Sequence, residues 1–335
     1  MADETKRPLL EAKHLKMYFT IPRKGQLHAV DDVSFTIYPG ETLGLVGESG
    51  CGKSTIGNVT MRLLKATGGE LLYEGEDVLR AKGRESQEFR KKMQIIFQDP
   101  YSSLNPRKTV RKILREAFEV QRMGSREEID RMVESLCQRV DIPLNLLDRY
   151  PHELDGGMRQ VVGIARALSL NPKLIVCDEP VSSLDVSVQA KIINLLMDIQ
   201  REMGLSYLFI SHDLSVVRHI SDRIAVMYLG QIVEICDTGT MFEKTTHPYS
   251  IALLSAVPQV NVDSKVSRIL LKGDVPSPMN PKPGCRFAPR CWMAQQRCFA
   301  EGPELREIEP GHCVACHYAA ESRGRMLEAE TSSLA

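Results

Sequence analysis

The chain has 335 residues with 43 basic and 43 acidic side chains, a formal net charge of zero, which excludes bulk electrostatic attraction to nucleic acid or to an anionic membrane. That length allows one large domain or two, around a core of ordinary size. No apolar run reaches the roughly 18 residues of a spanning helix, and the polar start Met1-Ala2-Asp3-Glu4-Thr5-Lys6-Arg7 lacks a signal-peptide core, so the expected compartment is the cytosol. Nine cysteines there argue against structural disulfides. Cys51, Cys137, Cys177 and Cys236 are scattered, whereas Cys285, Cys291, Cys298, Cys313 and Cys316 crowd into one stretch, which suggests a metal.

In chain order, residues 9–18 and 29–37 have the β-branched and aromatic character of strands, separated by a turn at Pro22-Arg23-Lys24-Gly25. Two such strands near the N-terminus suit a base-covering subdomain. Phe19, with Tyr18 as runner-up, lies where a ring could stack on a purine; a half-buried strand aromatic is the alternative. Residues 41–46 then read as a short strand, and 56–64 as a helix. Between them Gly47-Glu48-Ser49-Gly50-Cys51-Gly52-Lys53-Ser54-Thr55 matches the phosphate-loop pattern G-x-x-x-x-G-K-[ST] at every fixed position. Glycines let successive backbone N–H groups turn toward one phosphate, and the helix N-terminus adds its positive end. Lys53 would reach the β- and γ-phosphates and the Ser54 hydroxyl would ligate Mg²⁺.

A charged stretch from Gln87 leads into the apolar run Met93-Gln94-Ile95-Ile96-Phe97, which stops at Gln98-Asp99-Pro100. Residues 110–121 and 126–140 show apolar side chains at helical spacing and predict an inserted helical subdomain. At Leu154-Asp155-Gly156-Gly157-Met158 a Gly-Gly turn opens a further helix through Leu168, offering a second helix N-terminus to an anion. Leu174-Ile175-Val176-Cys177-Asp178-Glu179 is an apolar run ending in two acids, the pattern of a buried parallel strand. Asp178 would hold Mg²⁺, and Glu179 would orient or deprotonate a water. Ser182-Ser183-Leu184-Asp185 precedes a helix to about Gln200, and the next strand, 205–210, ends at Ser211-His212-Asp213. A contact from His212 to a terminal phosphate is expected from that sheet edge.

Taken together and in this order, the phosphate loop, Gln98, the Gly-Gly turn, Asp178-Glu179, Ser183-Leu184-Asp185 and His212 resemble the nucleotide-binding subunit of an ATP-binding-cassette (ABC) transporter, over about residues 8–258. The runs His247-Pro248-Tyr249-Ser250, Gly273-Asp274-Val275-Pro276-Ser277-Pro278 and Gly284-Cys285-Arg286-Phe287-Ala288-Pro289-Arg290-Cys291 are similar to the oligopeptide/dipeptide importer branch. The resemblance implies an α/β phosphate-loop ATPase fold with a helical subdomain at about 101–165 and a Cys-rich extension at 259–320, and the polar composition from Glu321 predicts a disordered tail at 321–335. It implies ATP and Mg²⁺ as cofactors, with Ser54, Gln98 and Asp178 around the metal, Glu179 activating water, His212 steadying the γ-phosphate, Gln98 sensing it and Asp185 in the D-loop. The implied partners are a second homologous ATPase subunit, two membrane permeases and an extracytoplasmic solute-binding protein, at the cytoplasmic face of the inner membrane.

One position departs from the family, whose signature is usually Leu-Ser-Gly-Gly-Gln: Asp155 replaces the serine. In the family a similar cysteine cluster binds a 4Fe-4S centre, for which Cys285, Cys291, Cys298 and Cys316 fit; Zn²⁺ on Cys285, Cys291, Cys313 and Cys316 is the alternative. Competing functions are a soluble ABC ATPase acting on nucleic acid, and a metal- or redox-gated regulator. The first usually has two cassettes or a long coiled-coil insertion, neither of which is present. The transported solute is not encoded in this chain.

Overall fold

The computed structural model describes residues 7–257, 269–271 and 273–321. The disordered tail expected at the C-terminus, beyond residue 321, and the first six residues lie outside the described ones, as does the start of the extension at 258–268. The chain forms two compact units, one of residues 1–36, 43–79 and 212–335 and one of residues 37–42 and 80–211.

In the first unit the strands Leu10–Ile21, Gly25–Ile37, Gly68–Tyr73 and Glu76–Asp77 make a sheet with the Gly25–Ile37 strand at one edge and Leu10–Ile21 beside it. Leu10–Ile21 pairs antiparallel with Gly68–Tyr73. The first hairpin runs further toward its turn than the sequence suggested, because Lys24 N donates to Ile21 O at 3.0 Å and Arg23 takes φ 65°. The second sheet of this unit begins with the fully buried strand Thr42–Val46, parallel to Arg223–Tyr228, which pairs antiparallel with Gln231–Asp237. Strands His312–Val314 and Arg306–Glu309 then extend this edge antiparallel. The cysteine-rich extension is thereby part of the sheet.

A buried carboxylate welds that junction. Glu234, fully buried, accepts from Thr245 Oγ1 (3.0 Å), Thr246 N (2.7 Å) and His247 N (3.1 Å), and pairs with His312 Nε2 at 2.8 Å. Burial alone would raise its pKa, but the bonds from His312 and Ser250 and the nearby His247 hold it below the usual range. A carboxylate with this many donors fixes the segment before the helix Pro248–Ser255 against the extension.

In the second unit three parallel strands, Met93–Ile96, Leu174–Asp178 and Ser206–Ile210, lie in that order. The last two are buried along their whole length, as expected of a parallel sheet covered on both faces. The helix Val186–Met203 connects them and ends at Gly204 in the left-handed conformation. Helices Val110–Val120 and Arg126–Arg139 occupy the predicted places. Ile113, Leu114 and Phe118 of the first, and Ile129, Val133 and Leu136 of the second, are buried, each worth about 1.5–3 kcal/mol. Thr109 caps the first helix, Ser125 and Glu128 form a capping box on the second, and Arg115, paired with Glu119 of its own helix (2.9 Å), reaches Asp130 of the second (2.5 Å). Among the described residues no helix is long and apolar enough to cross a membrane.

Candidate functional site

The phosphate loop starts where the buried strand Thr42–Val46 ends. It closes at Gly52, whose φ of 109° and a would-be Cβ only 2.0 Å from Ala29 O leave room for no other residue. The helix Lys53–Thr60 comes next, without any side-chain cap. Ser49 and Gly50 are exposed at the crest, Ser54 and Thr55 half-buried at the helix start, and Gly47, Cys51 and Lys53 buried. Lys53 folds into the loop, donating from Nζ to Gly47 O (2.8 Å) and Glu48 O (3.2 Å). Burial raises the Cys51 thiol pKa, so it is a packing residue here. A cation, a tight backbone turn and an uncapped helix end make this loop an anion cradle.

The loop has a support that sequence reasoning missed. Glu48 N donates to Tyr249 Oη at 2.9 Å, and both guanidinium NH₂ groups of Arg290 donate to the Glu48 carboxylate, at 2.7 and 3.1 Å. The signal was present only as the runs around Tyr249 and Arg290, read as branch markers and not as contacts. Of the two aromatics considered for base stacking, Tyr18 stacks on His28 at 3.9 Å and donates its hydroxyl to Asp31. Asp31 also accepts from His28 (3.0 Å) and Arg286, bonds that outweigh burial and lower its pKa. Tyr18 and Phe19 are both half-buried.

In the second unit, Asp178 closes the buried strand Leu174–Asp178 and is itself buried. Glu179 comes next with φ 46°, a left-handed conformation uncommon for non-glycine residues. Its N donates to Ile210 O (2.9 Å), its carbonyl accepts from Ser182 N (3.3 Å) and Ser182 Oγ (3.1 Å), and its carboxylate accepts from Gln98 Nε2 (3.0 Å). Gln98 and Glu179, far apart in sequence, are thus brought together. Asp185 stands at the N-cap position of Val186–Met203 yet makes no capping bond. The loop before it is fixed by Gln189 Nε2, which donates to Val181 O (3.0 Å) and Leu184 O (2.9 Å). His212 is exposed, just beyond the strand Ser206–Ile210 and beside Asp213, the cap of the helix Leu214–Ile220.

The signature turn opens the helix Gly156–Leu168, and Asp155 is its N-cap, accepting from Met158 N at 2.8 Å. Asp and Ser are equally good at that task, so the departure from the usual serine leaves the local structure intact. Arg159 is not its counter-ion: it donates from Nε to Pro151 O (2.7 Å) and lies over the Tyr101 ring at 5.1 Å. Leu154 is buried. A Cβ on Gly157 would lie 2.7 Å from Val188 Cγ1, so the bare backbone is what lets this helix start approach the helix Val186–Met203.

Among the described residues no three or more His, Cys, Asp or Glu side chains are grouped so as to hold a metal ion. The zinc set fails on Cys313, which lies on His312–Val314 opposite Ile235 with Glu307 and Arg223 as its charged neighbours. Cys285, Cys291, Cys298 and Cys316 do line one small apolar cavity, together with His247, Phe287 and Met293. Burial raises the thiol pKa values of Cys291 and Cys316 to about 11.

Residues 30–182 match the family described as ABC transporter, and residues 233–298 match the oligopeptide/dipeptide transporter C-terminal region. YkfD of Bacillus subtilis strain 168 is 52% identical over 313 residues, spanning 92% of this chain and 95% of YkfD. The oligopeptide transport ATP-binding protein AppF of the same strain is 49% identical over 326 residues, spanning 95% and 99%. Among solved structures, a dimeric post-hydrolysis state of the ATP-binding cassette MJ0796 bound to ADP and Pi superposes with a TM-score of 0.63 at 27% identity, covering 68% of this chain and 98% of that one. CbiO1 from Clostridium perfringens gives 0.62 at 27% identity, covering 71% and 91%. With the phosphate loop, the acidic strand end and the capped signature turn all formed, the chain belongs to the ABC transporter ATPases, in their oligopeptide/dipeptide branch.

Proposed function

We propose that this chain is the ATP-hydrolysing subunit that powers import of peptides or related small solutes, peripheral to the cytoplasmic face of the membrane. It works with a second ATPase subunit, two permeases and a solute-binding protein. The nucleotide-binding part is residues 8–258, with a helical subdomain at about 101–165, and the extension is 259–320. Lys53 and the loop N–H groups bind the β- and γ-phosphates of ATP, and Ser54, Asp178 and Gln98 surround Mg²⁺. Phe19 stacks on the base. Glu179 orients and deprotonates the attacking water, His212 steadies the γ-phosphate, and Asp185 meets the partner subunit. The signature Leu154, Asp155, Gly156, Gly157 and Met158 faces ATP held by that partner. Phosphoryl transfer depends mostly on positioning and charge stabilisation, which these groups supply.

The observation that carries this reading is the Gln98–Glu179 hydrogen bond of 3.0 Å, because it ties a water-activating carboxylate to a side chain that answers to the γ-phosphate. The test is the reconstituted complex with a set of peptides, assayed for ATP hydrolysis and uptake together. Uptake that needs ATP and stops with Glu179→Gln supports it; ATP hydrolysis by this chain stimulated by nucleic acid and not by permease and peptide would overturn it.

For the extension, we propose that Cys285, Cys291, Cys298 and Cys316 hold a 4Fe-4S cluster. Four thiols on one apolar-walled cavity suit such a centre, whose ligands surround a cube of atoms and do not converge on one ion. A bound cluster would supply a redox-responsive cross-link of this segment. Protein purified anaerobically should contain iron and sulfide and absorb broadly in the visible, and Cys298→Ser should remove both. Stoichiometric zinc that survives Cys298→Ser would refute the assignment.

A further inference from the structure

The phosphate loop carries a carboxylate where polyanionic phosphates are to bind. Glu48 is one of its variable positions, and an unscreened acid there would repel the ligand. That charge is answered from the far end of the sequence. Arg290, 8% exposed at its side chain, grips both Glu48 oxygens in a fork at 2.7 and 3.1 Å and also reaches Tyr228 Oη at 3.4 Å. The hydrogen bonds to the Glu48 carboxylate raise the Arg290 pKa further.

The base of Arg290 is rigid. It ends the short turn Ala288–Arg290, in which Arg290 N donates to Phe287 O at 2.9 Å. Phe287 is fully buried, with its ring 5.2 Å from Tyr228 and 5.4 Å from Tyr249. Tyr249 in turn accepts from Glu48 N at 2.9 Å, so side chain and backbone of Glu48 are held by one aromatic cluster. Arg286 donates to Leu229 O, and Gly230 N donates to Cys51 O at 2.8 Å, fixing the loop's other arm. We propose that Arg290 is a positioning residue for nucleotide binding, which neutralises Glu48 and anchors the phosphate loop to the C-terminal extension. The inference rests on the loop being the ATP site. Arg290 touches no phosphate; it acts through Glu48.

MgATP binding to the full chain, measured by titration calorimetry, tests this with a double-mutant cycle. Arg290→Ala should weaken binding about tenfold and Arg290→Lys less, since a lysine restores charge without the fork. In a Glu48→Ala background the same Arg290→Ala change should alter affinity by less than about twofold, because the charge it answers is gone. A purely structural role would lower affinity equally in both backgrounds, and that result would overturn the proposal, as would wild-type affinity in Arg290→Ala. If Arg290→Ala fails to fold, Arg290→Gln keeps the bulk and carries the same cycle. Lys53→Ala separates the two levels: wild-type affinity there would move ATP elsewhere and sink both readings, whereas its loss beside an unaffected Arg290→Ala refutes the positioning role alone.

Discussion

Two helices in this protein begin where the proposed function brings a phosphate, and they are finished differently. Lys53–Thr60 starts after Gly52 with no side chain on its first N–H groups and a buried lysine at its first position. Gly156–Leu168 starts with Asp155, whose carboxylate already accepts from Met158 N. An N-cap of this kind stabilises a helix by about 1 kcal/mol, and a negative charge at that end adds about 0.3–1 through the helix dipole. The second end is thus content without a ligand, and an incoming phosphate must displace or face a like charge. The first has no N-cap side chain to supply an acceptor, and an anion bound there would supply one. Binding energy is therefore concentrated at the open end, and conditional on the partner at the filled one.

The largest effect should come from the chemistry that serves the open end. Glu179→Gln keeps the hydrogen-bonding shape toward Gln98 but removes the base, so turnover in the reconstituted complex should fall by about 10²–10⁴ while ATP affinity stays. A steady-state rate near wild type would remove Glu179 from the catalytic role. Next, Lys53→Ala takes the only side-chain cation out of the loop itself and should reduce MgATP affinity by about a hundredfold, read by calorimetry. If affinity barely changes, the open end is not where the phosphates sit.

A smaller effect is expected where the filled end packs. Gly157→Ala puts a methyl group 2.7 Å from Val188 Cγ1, and valine cannot rotate away cheaply. The chain should lose about 1–3 kcal/mol in denaturant unfolding, with ATP binding to its own phosphate loop unchanged. A stability equal to wild type would mean that the two helices have room to part.

The contrast between these ends also measures how far the sequence could be read. The phosphate loop, the buried strand Leu174–Asp178 and the helices at 110–120 and 126–139 are legible because each is a local pattern: a turn that only glycine can make, an apolar run ending in acids, or a 3.6-residue period. The family is legible from the order of those motifs. What stays hidden depends on pairing over long separations. Nothing in Arg290 says that it meets Glu48, 242 positions away, nor does Glu234 announce that it will gather Thr245, Thr246 and His312. The strands Arg306–Glu309 and His312–Val314 are too short and polar to be recognised before they add to Gln231–Asp237. The partners of Tyr18, Asp31 and His28, are hidden for the same reason, since they come from the neighbouring strand. The four cysteines named for the cluster, Cys285, Cys291, Cys298 and Cys316, do line one cavity, but their spacing alone does not exclude Cys313.

The smallest effect, Asp155→Ser, decides whether the two ends differ in function as well as in finish. Serine caps a helix as well as aspartate, so thermal unfolding of the isolated chain should move by less than about 0.5 kcal/mol. What the change removes is a charge, and that charge acts only when the partner's ATP approaches. At 4 Å the repulsion is about 1 kcal/mol in water and about 4 at an effective dielectric of 20, so ATP-dependent association with the partner subunit should tighten by between a few-fold and several hundredfold. Because Asp155 is exposed, the gain should sit toward the low end and shrink as salt is raised. Association is best measured in the Glu179→Gln background, where turnover does not dissolve the complex, at low and at high ionic strength. Unchanged association at low salt, with the cap intact, would mean that the carboxylate stays turned toward Met158 N while the phosphate docks on the remaining N–H groups. The filled end would then be as competent as a serine-bearing one, and the difference between the two helix starts would be one of local stability alone.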